Sequence, residues 1–219
     1  MKAILFDLDG VIIDSENFFY STMEALIEEC YGVRKKISEE LIFRITGATD
    51  PEVYKGIISY FGLSVGWEEL MRTTMAYYER HYGGFEEAVP LLEGADDFVR
   101  RAKAAGLKLA VCTSSNRAYA TKILKRFSLY PLFDLLVCGD EITHSKPDPE
   151  IYLRGAKKLG ISAKECLVIE DSYNGIAAGK SAEMYVLAAK VSRISQNTSE
   201  ADREFYTYAE LDPLILKEL

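Results

Sequence analysis

Five short, uninterrupted apolar runs recur along the chain, and helix-like segments separate the last four. The runs are Lys2–Phe6, Leu107–Thr113, Leu135–Cys138, Cys166–Glu170 and Met184–Leu187. Runs this short and continuous are typical of strands buried on both faces of a parallel sheet. Their alternation with helices predicts right-handed crossovers and a doubly wound, Rossmann-like α/β core whose mainly parallel sheet is flanked by helices.

The predicted helices of this core carry apolar residues on one face, and two of them end at a glycine. They are Ala95–Ala105, Arg117–Phe127, Pro149–Leu159 and Tyr173–Ala182.

The first run is separated from the others by a long segment that is helical in pattern throughout. From about Glu16 to Gly83 the apolar residues recur at helical spacing, as in Phe19, Met23, Leu26 and Ile27. An insertion is the economical explanation. We therefore expect a core domain made of residues 1–15 and 85–219, and a helical cap domain made of residues 16–84.

Size and charge limit the classes of function. A chain of 219 residues suits one large domain or a core with an insert. The net charge of −8 argues against a nucleic-acid or anionic-membrane surface. It does not argue against a phosphorylated substrate, because a bound divalent cation reverses the local field.

The remaining composition indicates a cytoplasmic protein. The four cysteines are far apart and form no C-x-x-C pair, which favours reduced thiols in an intracellular compartment. His81 and His144 are the only histidines, so a His-rich zinc site is not expected. The N-terminus lacks the pattern of a signal peptide, and no run approaches the roughly 20 apolar residues that span a bilayer. Nothing in the sequence calls for more than a monomer.

Polar side chains follow four of the apolar runs. Because ligands of open parallel sheets bind outside the carboxyl ends of the strands, we expect these side chains to lie at one edge. They are Asp7 and Asp9, then Thr113, Ser114 and Ser115, then Lys146, and finally Glu170 and Asp171.

This set of side chains has a joint chemical use. Carboxylates without His or Cys ligands indicate a hard cation, for which Mg²⁺ is the best match. Hydroxyls and a lysine suit the oxygens of a phosphoryl group. One Asp can then attack phosphorus while its neighbour protonates the leaving oxygen. Each segment alone has an ordinary explanation as a turn, a helix cap or a surface lysine, and their convergence favours function.

Four segments resemble the four motifs of the haloacid dehalogenase (HAD) superfamily. They are FDLDGVIIDS, VCTSSN, SKPDPEIY and VIEDSYNGIAAG, in this order. The helical segment lies where the C1-capped members of that superfamily carry their cap. The closest subfamily in pattern contains β-phosphoglucomutase and sugar-phosphate phosphatases. The resemblance implies an enzyme with a Rossmann-like core and a mobile helical lid.

The resemblance also implies roles for the acidic residues. Asp7 is the nucleophile that becomes an aspartyl-phosphate, and Asp9 is the general acid and base. Asp7, the backbone carbonyl of Asp9 and Asp171 bind Mg²⁺, and Glu170 is either a ligand or a residue that supports the ligands. Dehalogenases lack the second Asp, so Asp9 argues against carbon–halogen chemistry.

The same resemblance implies how the phosphoryl group is held. Thr113 binds it, the backbone of Ser114 and Ser115 assists, and Lys146 balances the charges of the nucleophile and the phosphate.

Within this subfamily the sequence favours a phosphatase over the alternative, a phosphomutase of the β-phosphoglucomutase type. Phe19 stands where the mutase pattern has a His, and Thr46 and Asp50 stand where its cap has Lys and Arg. The expected substrate is a small phosphorylated metabolite such as a sugar phosphate.

Two other hypotheses are weaker. A response-regulator receiver uses similar groups, but its acidic pair comes early and it has no helical insert. An inactive binding protein on the same scaffold is disfavoured because every chemical position is filled. Asp14 and Ser15 are expected to be linker and helix-capping residues rather than catalysts.

Overall fold

Six parallel strands form one sheet in a computed structural model that describes residues 1–45, 50–192 and 196–218. The sheet order is β3-β2-β1-β4-β5-β6. The strands are β1 (Ala3–Phe6), β2 (Lys108–Thr113), β3 (Leu135–Cys138), β4 (Cys166–Glu170), β5 (Tyr185–Ala189) and β6 (Arg203–Phe205).

Ten α-helices accompany the strands in the described part of the chain. None of them is long and apolar enough to cross a membrane. They are α1 (Ser15–Tyr31), α2 (Glu39–Ile45), α3 (Asp50–Phe61), α4 (Trp67–Tyr82), α5 (Phe85–Ala88), α6 (Ala95–Ala104), α7 (Arg117–Arg126), α8 (Glu150–Leu159), α9 (Tyr173–Ser181) and α10 (Pro213–Glu218).

Helices cover both faces of the sheet, which confirms the predicted α/β fold. On one face, α8 contacts β1, β2 and β3. It packs so closely that a Cβ atom at Gly155 would lie 2.9 Å from Leu5 Cδ2. On the other face, the ring of Phe6 meets the rings of Phe98 and Phe133 edge to face. The strands between these layers are almost completely buried, as their continuous apolar sequences predict.

The register brings the strand ends together. Phe6 of β1 pairs with Val111 of β2 and with Ile169 of β4. Asp7 continues this pairing, since its N–H donates to Ile169 O at 2.9 Å. Strands β2 and β4 lie on opposite sides of β1. The chain continues outward from β2 to β3 on one side and from β4 to β5 on the other. The carboxyl end of β1 is therefore the point where the strand order reverses, the usual ligand-binding position of such sheets.

The structure contains one strand that the sequence pattern did not indicate. The edge strand β6 has the sequence Arg203-Glu204-Phe205, and only Phe205 is buried. A three-residue edge strand with two charged side chains lacks the apolar run by which the other five strands are recognised.

The chain divides into two compact units. One consists of Met1–Ser15 with Pro90–Leu219, and the other of Glu16–Val89. The helical unit extends past residue 84 because it includes α5, where the ring of Phe85 packs against the rings of Phe18 and Tyr78.

The helical unit has its own apolar core. Tyr54 and Ile57 of α3 and Leu70 and Tyr78 of α4 are buried, together with Met23 of α1. Met23 belongs to the helical pattern that the sequence predicted for this segment.

Candidate active site

The predicted site residues of the core unit lie at the carboxyl ends of the strands or in the loops that follow them. Asp7 follows β1, Thr113 ends β2, and Glu170 ends β4 with Asp171 next to it. Lys146 reaches the same place from the loop between β3 and α8, since its ammonium contacts Asp7 and Glu170.

The ammonium of Lys146 is held between two carboxylates. Its Nζ lies 2.7 Å from Asp7 Oδ1 and 2.6 Å from Glu170 Oε1, and it also donates to the carbonyl of Cys112 at 3.2 Å. Only 7% of the Lys146 side chain is exposed. The lysine is therefore part of the buried site, and its interpretation as a solvated surface residue is wrong.

Both oxygens of the buried Glu170 carboxylate accept hydrogen bonds. In addition to Lys146, the hydroxyl of Tyr152 donates to Oε1 at 2.8 Å. Oε2 accepts from Asp171 N at 3.0 Å, from Ser172 N at 3.1 Å and from Ser172 Oγ at 3.0 Å. This number of donors explains how a carboxylate with no exposed surface is tolerated.

The charges of the site shift the pKa values of its members. Burial raises the pKa of Asp7 to about 7, and the nearby Glu170 and Asp9 carboxylates add to the rise, although Lys146 opposes it. Burial by itself would lower the pKa of Lys146, but the Asp7 and Glu170 carboxylates raise it above its usual value. Burial by itself would raise the pKa of Glu170, but the charge and hydrogen bond of Lys146, with the hydrogen bonds from Tyr152 and Ser172, lower it.

The acidic residues fit a divalent cation. Asp7, Glu170 and Asp171 are buried, and each offers an oxygen within 4.8 Å of the others. The Lys146 ammonium pairs with two of these three carboxylates, so an ion of charge +2 would balance the remaining negative charge. Gly10 leaves room for the Asp171 carboxylate because it has no side chain. A Cβ atom at this position would lie 1.9 Å from Asp171 Oδ2 and would clash with it. Oxygen-only donors of this kind are typical of Mg²⁺ sites.

Asp9 is bound by two hydroxyl groups from the segment after β2. Ser115 Oγ donates to Asp9 Oδ2 at 2.9 Å, and the hydroxyl of Tyr119 donates to Asp9 Oδ1 at 3.2 Å. The carboxylate is thus attached at both oxygens to the start of α7.

The loop between β2 and α7 is arranged around Thr113. This threonine is buried, and its Oγ1 accepts a hydrogen bond from Ser115 N at 3.1 Å. Ser114 is exposed, and its carbonyl lies so close to Gly139 that a Cβ atom there would be 2.0 Å from it. In this structure the N–H of Ser115 therefore bonds within the loop, and its role toward phosphate stays a prediction.

Two tyrosines of the site were not identified from the sequence. Tyr152 lies in the quoted SKPDPEIY segment, and Tyr119 lies three residues after VCTSSN. Each is the third residue of its helix, α7 for Tyr119 and α8 for Tyr152, and both helices begin at the site. Each contacts an acidic residue distant in sequence, Glu170 and Asp9 respectively.

Three further polar residues near the motifs have other partners or lie exposed. The Arg117 side chain pairs with Glu141 and donates to Leu136 O at 2.8 Å. The His144 side chain is 68% exposed. Asp14 precedes α1, and its Oδ1 accepts from Ser192 Oγ at 3.0 Å, in keeping with a structural role.

The helical positions that bear on the mutase alternative belong to the other unit. Phe19 lies on α1, where its ring contacts those of Tyr20 and Tyr54. Thr46 lies outside the described residues, and Asp50 begins α3.

Comparison with known proteins identifies the family. A family model described as haloacid dehalogenase-like hydrolase matches residues 1–183. A phosphorylated carbohydrates phosphatase of Thermotoga maritima is 32% identical over 182 residues, which cover 83% of this chain and 82% of that protein. Hexitol phosphatase B of Escherichia coli K12 is 32% identical over 186 residues, covering 83% of this chain and 80% of that protein.

Solved structures agree with this result. A putative β-phosphoglucomutase from Thermotoga maritima has a TM-score of 0.76 at 27% identity, over 100% of this chain and 97% of that one. A HAD family hydrolase from Deinococcus radiodurans R1, solved with bound phosphate and sodium, has a TM-score of 0.82 at 25% identity, over 98% and 95%. With its family motifs brought together at one sheet edge, the chain belongs to the haloacid dehalogenase-like hydrolase family.

Proposed function

We propose that the chain is a Mg²⁺-dependent phosphatase that hydrolyses a small phosphorylated metabolite through a phosphorylated Asp7. The observation that carries this proposal is the buried contact of Asp7 with Lys146, 2.7 Å apart, beside Glu170 and Asp171. Such a group combines a nucleophile with a fixed positive charge in a place from which water is largely excluded.

The first half of the reaction forms the covalent enzyme. A carboxylate oxygen of Asp7 attacks phosphorus, and the bond between phosphorus and the ester oxygen breaks. Asp9, in its protonated form, gives its proton to that oxygen, and the alcohol leaves. Lys146 and Thr113 offset the charge on the phosphoryl oxygens during transfer.

The second half regenerates the enzyme. A water molecule attacks phosphorus, and its proton passes to the Asp9 carboxylate. The bond between phosphorus and Asp7 then breaks, releasing inorganic phosphate and restoring a protonated Asp9 for the next cycle. One residue acting as acid and then as base follows from microscopic reversibility.

Asp7, Asp171 and the backbone carbonyl of Asp9 are the groups proposed to hold Mg²⁺, with Glu170 as a further ligand or as their support. When bound, the ion supplies positive charge that offsets the repulsion between Asp7 and the phosphate. Hydrolases of this family generally use Mg²⁺. The burial of three carboxylates with a single ammonium, which pairs with only two of them, supports the same requirement.

The names of the relatives support a carbohydrate-like phosphate ester as the substrate. Two of them are phosphatases of phosphorylated carbohydrates and of hexitols. The alternative, a phosphomutase, is supported by the putative β-phosphoglucomutase among the similar structures. It is opposed by Phe19, Thr46 and Asp50, which replace a His and two cations of the mutase pattern.

We further propose that residues 16–84 serve as a cap and that the enzyme is a cytoplasmic monomer.

The test is release of phosphate from a panel of sugar phosphates, hexitol phosphates, nucleoside monophosphates and p-nitrophenyl phosphate, with and without Mg²⁺. We expect Asp7→Asn to lower kcat by at least about 10³-fold, because the nucleophile is lost. The matched control is Asp97→Asn, since that carboxylate is 67% exposed and lies on α6. Its activity should equal that of the wild type.

Two outcomes would contradict the proposal. Activity that survives Asp7→Asn or persists in excess EDTA would exclude the phospho-Asp7 mechanism. Conversion of β-glucose 1-phosphate to glucose 6-phosphate, faster than release of phosphate, would establish the mutase instead.

A further inference from the structure

The two hydroxyl groups that bind Asp9 come from one short segment. Ser115 and Tyr119 lie on either side of the start of α7, and each donates to a different oxygen of the carboxylate. The bond from Tyr119 joins residues that are 110 positions apart in the sequence. It is therefore a contact made by the fold and not by a local motif.

The position of Tyr119 is itself determined by the start of its helix. Asn116 is the N-cap of α7, and its side-chain oxygen accepts from Tyr119 N at 2.9 Å. This cap holds the backbone of Tyr119 in the first turn of the helix, directly after the loop that carries Thr113 and Ser115. The tyrosine is partly buried, so its ring is supported by neighbouring atoms.

Two donors hold a carboxylate more firmly than one. The terminal torsion of an Asp side chain is broad, so a single bond from Ser115 leaves the carboxyl plane free to turn about that bond. A second donor on the other oxygen removes this freedom. A general acid must lie within about 2.6–3.2 Å of the oxygen that it protonates, so the orientation of Asp9 directly affects the rate.

We infer that Tyr119 is a positioning residue that orients the Asp9 carboxyl group for proton transfer to the leaving oxygen. The inference rests on the proposed function of Asp9 as general acid and base. In this role Tyr119 acts through Asp9: its hydroxyl neither attacks phosphorus nor supplies the transferred proton.

The test compares two leaving groups in the variant Tyr119→Phe, which keeps the ring and removes the hydroxyl. The first substrate is the alkyl phosphate of the panel that the wild type hydrolyses fastest, and its alkoxide needs a proton to leave. The second is p-nitrophenyl phosphate, whose phenolate leaves without one. We expect kcat/KM to fall about 10- to 100-fold for the alkyl phosphate. This loss is smaller than the whole contribution of a positioned acid, about 10²–10⁴-fold, because Asp9 itself remains. For p-nitrophenyl phosphate the change should stay below about 3-fold.

Rapid-mixing kinetics give a second measurement. Because Asp9 also serves as the base of the second step, Tyr119→Phe should release one equivalent of p-nitrophenolate per enzyme in a burst, followed by a slower steady rate. A variant that is merely misfolded would instead show a reduced burst amplitude.

Two further variants serve as controls. Tyr206→Phe removes a hydroxyl that donates to the Glu204 carboxylate at 3.0 Å on the exposed edge of the sheet. It should leave kcat/KM unchanged for both substrates. In an Asp9→Asn background, Tyr119→Phe should cost less than about 2-fold, because residues that act as a unit are not additive.

Some results would overturn the inference. Equal losses of kcat/KM for the two substrates, a rise in KM with unchanged kcat for both, or full additivity with Asp9→Asn would each mean that Tyr119 does not act through Asp9. The proposed phosphatase mechanism would fail in a different way. In that case Asp7→Asn or Asp9→Asn would keep the activity of the wild type.

Discussion

Charge balance is the controlling feature of the site at the scale of single residues. Lys146 satisfies one oxygen each of Asp7 and Glu170, yet the pKa of Asp7 remains raised to about 7 because the carboxylate is buried. The same burial that makes Lys146 an effective partner makes the remaining negative charge costly. The site is therefore prepared for a cation and for the charge that arrives with a phosphoryl group.

Gly10 supplies the space that this arrangement needs. Its φ of 72° lies in the left-handed region, and a Cβ atom would lie 1.9 Å from Asp171 Oδ2. We predict that Gly10→Ala displaces the Asp171 carboxylate and raises the Mg²⁺ concentration for half-maximal activity about 10- to 100-fold, as do changes around the ligands of other metal sites. The measurement is phosphatase activity over a Mg²⁺ titration.

Gly160→Ala is the control for Gly10→Ala. Gly160 has nearly the same φ, 70°, but apart from its own chain neighbours no heavy atom lies within 4 Å of the position of an added Cβ. It should lose stability through the left-handed conformation, by about 1–2 kcal/mol, without a change in the Mg²⁺ requirement. Equal Mg²⁺ curves for the two variants would show that strain, and not Asp171, is responsible for any loss of activity.

At the scale of elements, the helices after β2 and β4 begin with caps that also organise the site. Asn116 caps α7 and fixes Tyr119, which binds Asp9. Ser172 caps α9, accepting from Gly175 N at 3.1 Å, and its hydroxyl donates to Glu170. Helix initiation and the placement of the acidic groups therefore depend on the same short loops.

The start of β3 is joined to its neighbours by Asp134. Its carboxylate accepts from Lys103 Nζ at 2.6 Å, from Lys108 Nζ at 3.0 Å and from Leu109 N at 3.0 Å. Partial burial alone would raise the pKa of Asp134, but these donors lower it from 3.8 to about 2. The carboxylate thereby links the end of α6 and the start of β2 to the loop before β3.

We predict a pH-dependent loss of stability for Asp134→Asn. Because the pKa is lower in the folded state, the contribution is complete above pH 3.8 and is lost as the pH falls through about 2. Urea unfolding should show the variant less stable by about 1–2 kcal/mol at pH 7, with the difference narrowing to about half by pH 3. As a control, Asp97→Asn, which changes an exposed carboxylate, should alter the free energy of unfolding by less than about 0.5 kcal/mol. If the stability difference between wild type and Asp134→Asn stayed constant from pH 7 to pH 3, the lowered pKa of Asp134 would be contradicted.

At this scale the sequence predicted most of the elements. The runs at residues 135–138 and 166–170 coincide with β3 and β4 as observed. Buried parallel strands are recognisable because both faces must be apolar. The edge strand β6 and the short helix α5 were not predicted, since neither is long enough to show a period.

At the scale of the whole molecule, the chain leaves the core unit and returns to it at one place. Asp14 N donates to Pro90 O at 3.0 Å, and Ile13 forms an antiparallel bridge with Leu91. The two ends of the helical unit are therefore side by side. Inserted domains of this kind leave the parent core with its own set of contacts.

We predict that the core folds without the helical unit. Replacing residues 16–89 with a flexible linker of about four residues should give a protein with dispersed NMR signals and a cooperative thermal transition, because the sheet and its flanking helices lie outside the deleted segment. It should retain Mg²⁺-dependent hydrolysis of p-nitrophenyl phosphate at a reduced rate, with a larger loss for sugar phosphates. A molten core, with lost near-ultraviolet circular dichroism, would contradict this independence.

The sequence by itself determined the α/β class, and it predicted a helical insertion after the first strand and four segments at one sheet edge. These depend on local patterns: continuous apolar runs, helical periods and polar residues at strand ends. Only the tertiary structure decided that Lys146 bridges Asp7 and Glu170, that Tyr152 supports Glu170, and that Tyr119 binds Asp9. The physical reason is that such contacts depend on helix direction and side-chain orientation across the sheet edge, which spacing along the chain does not encode.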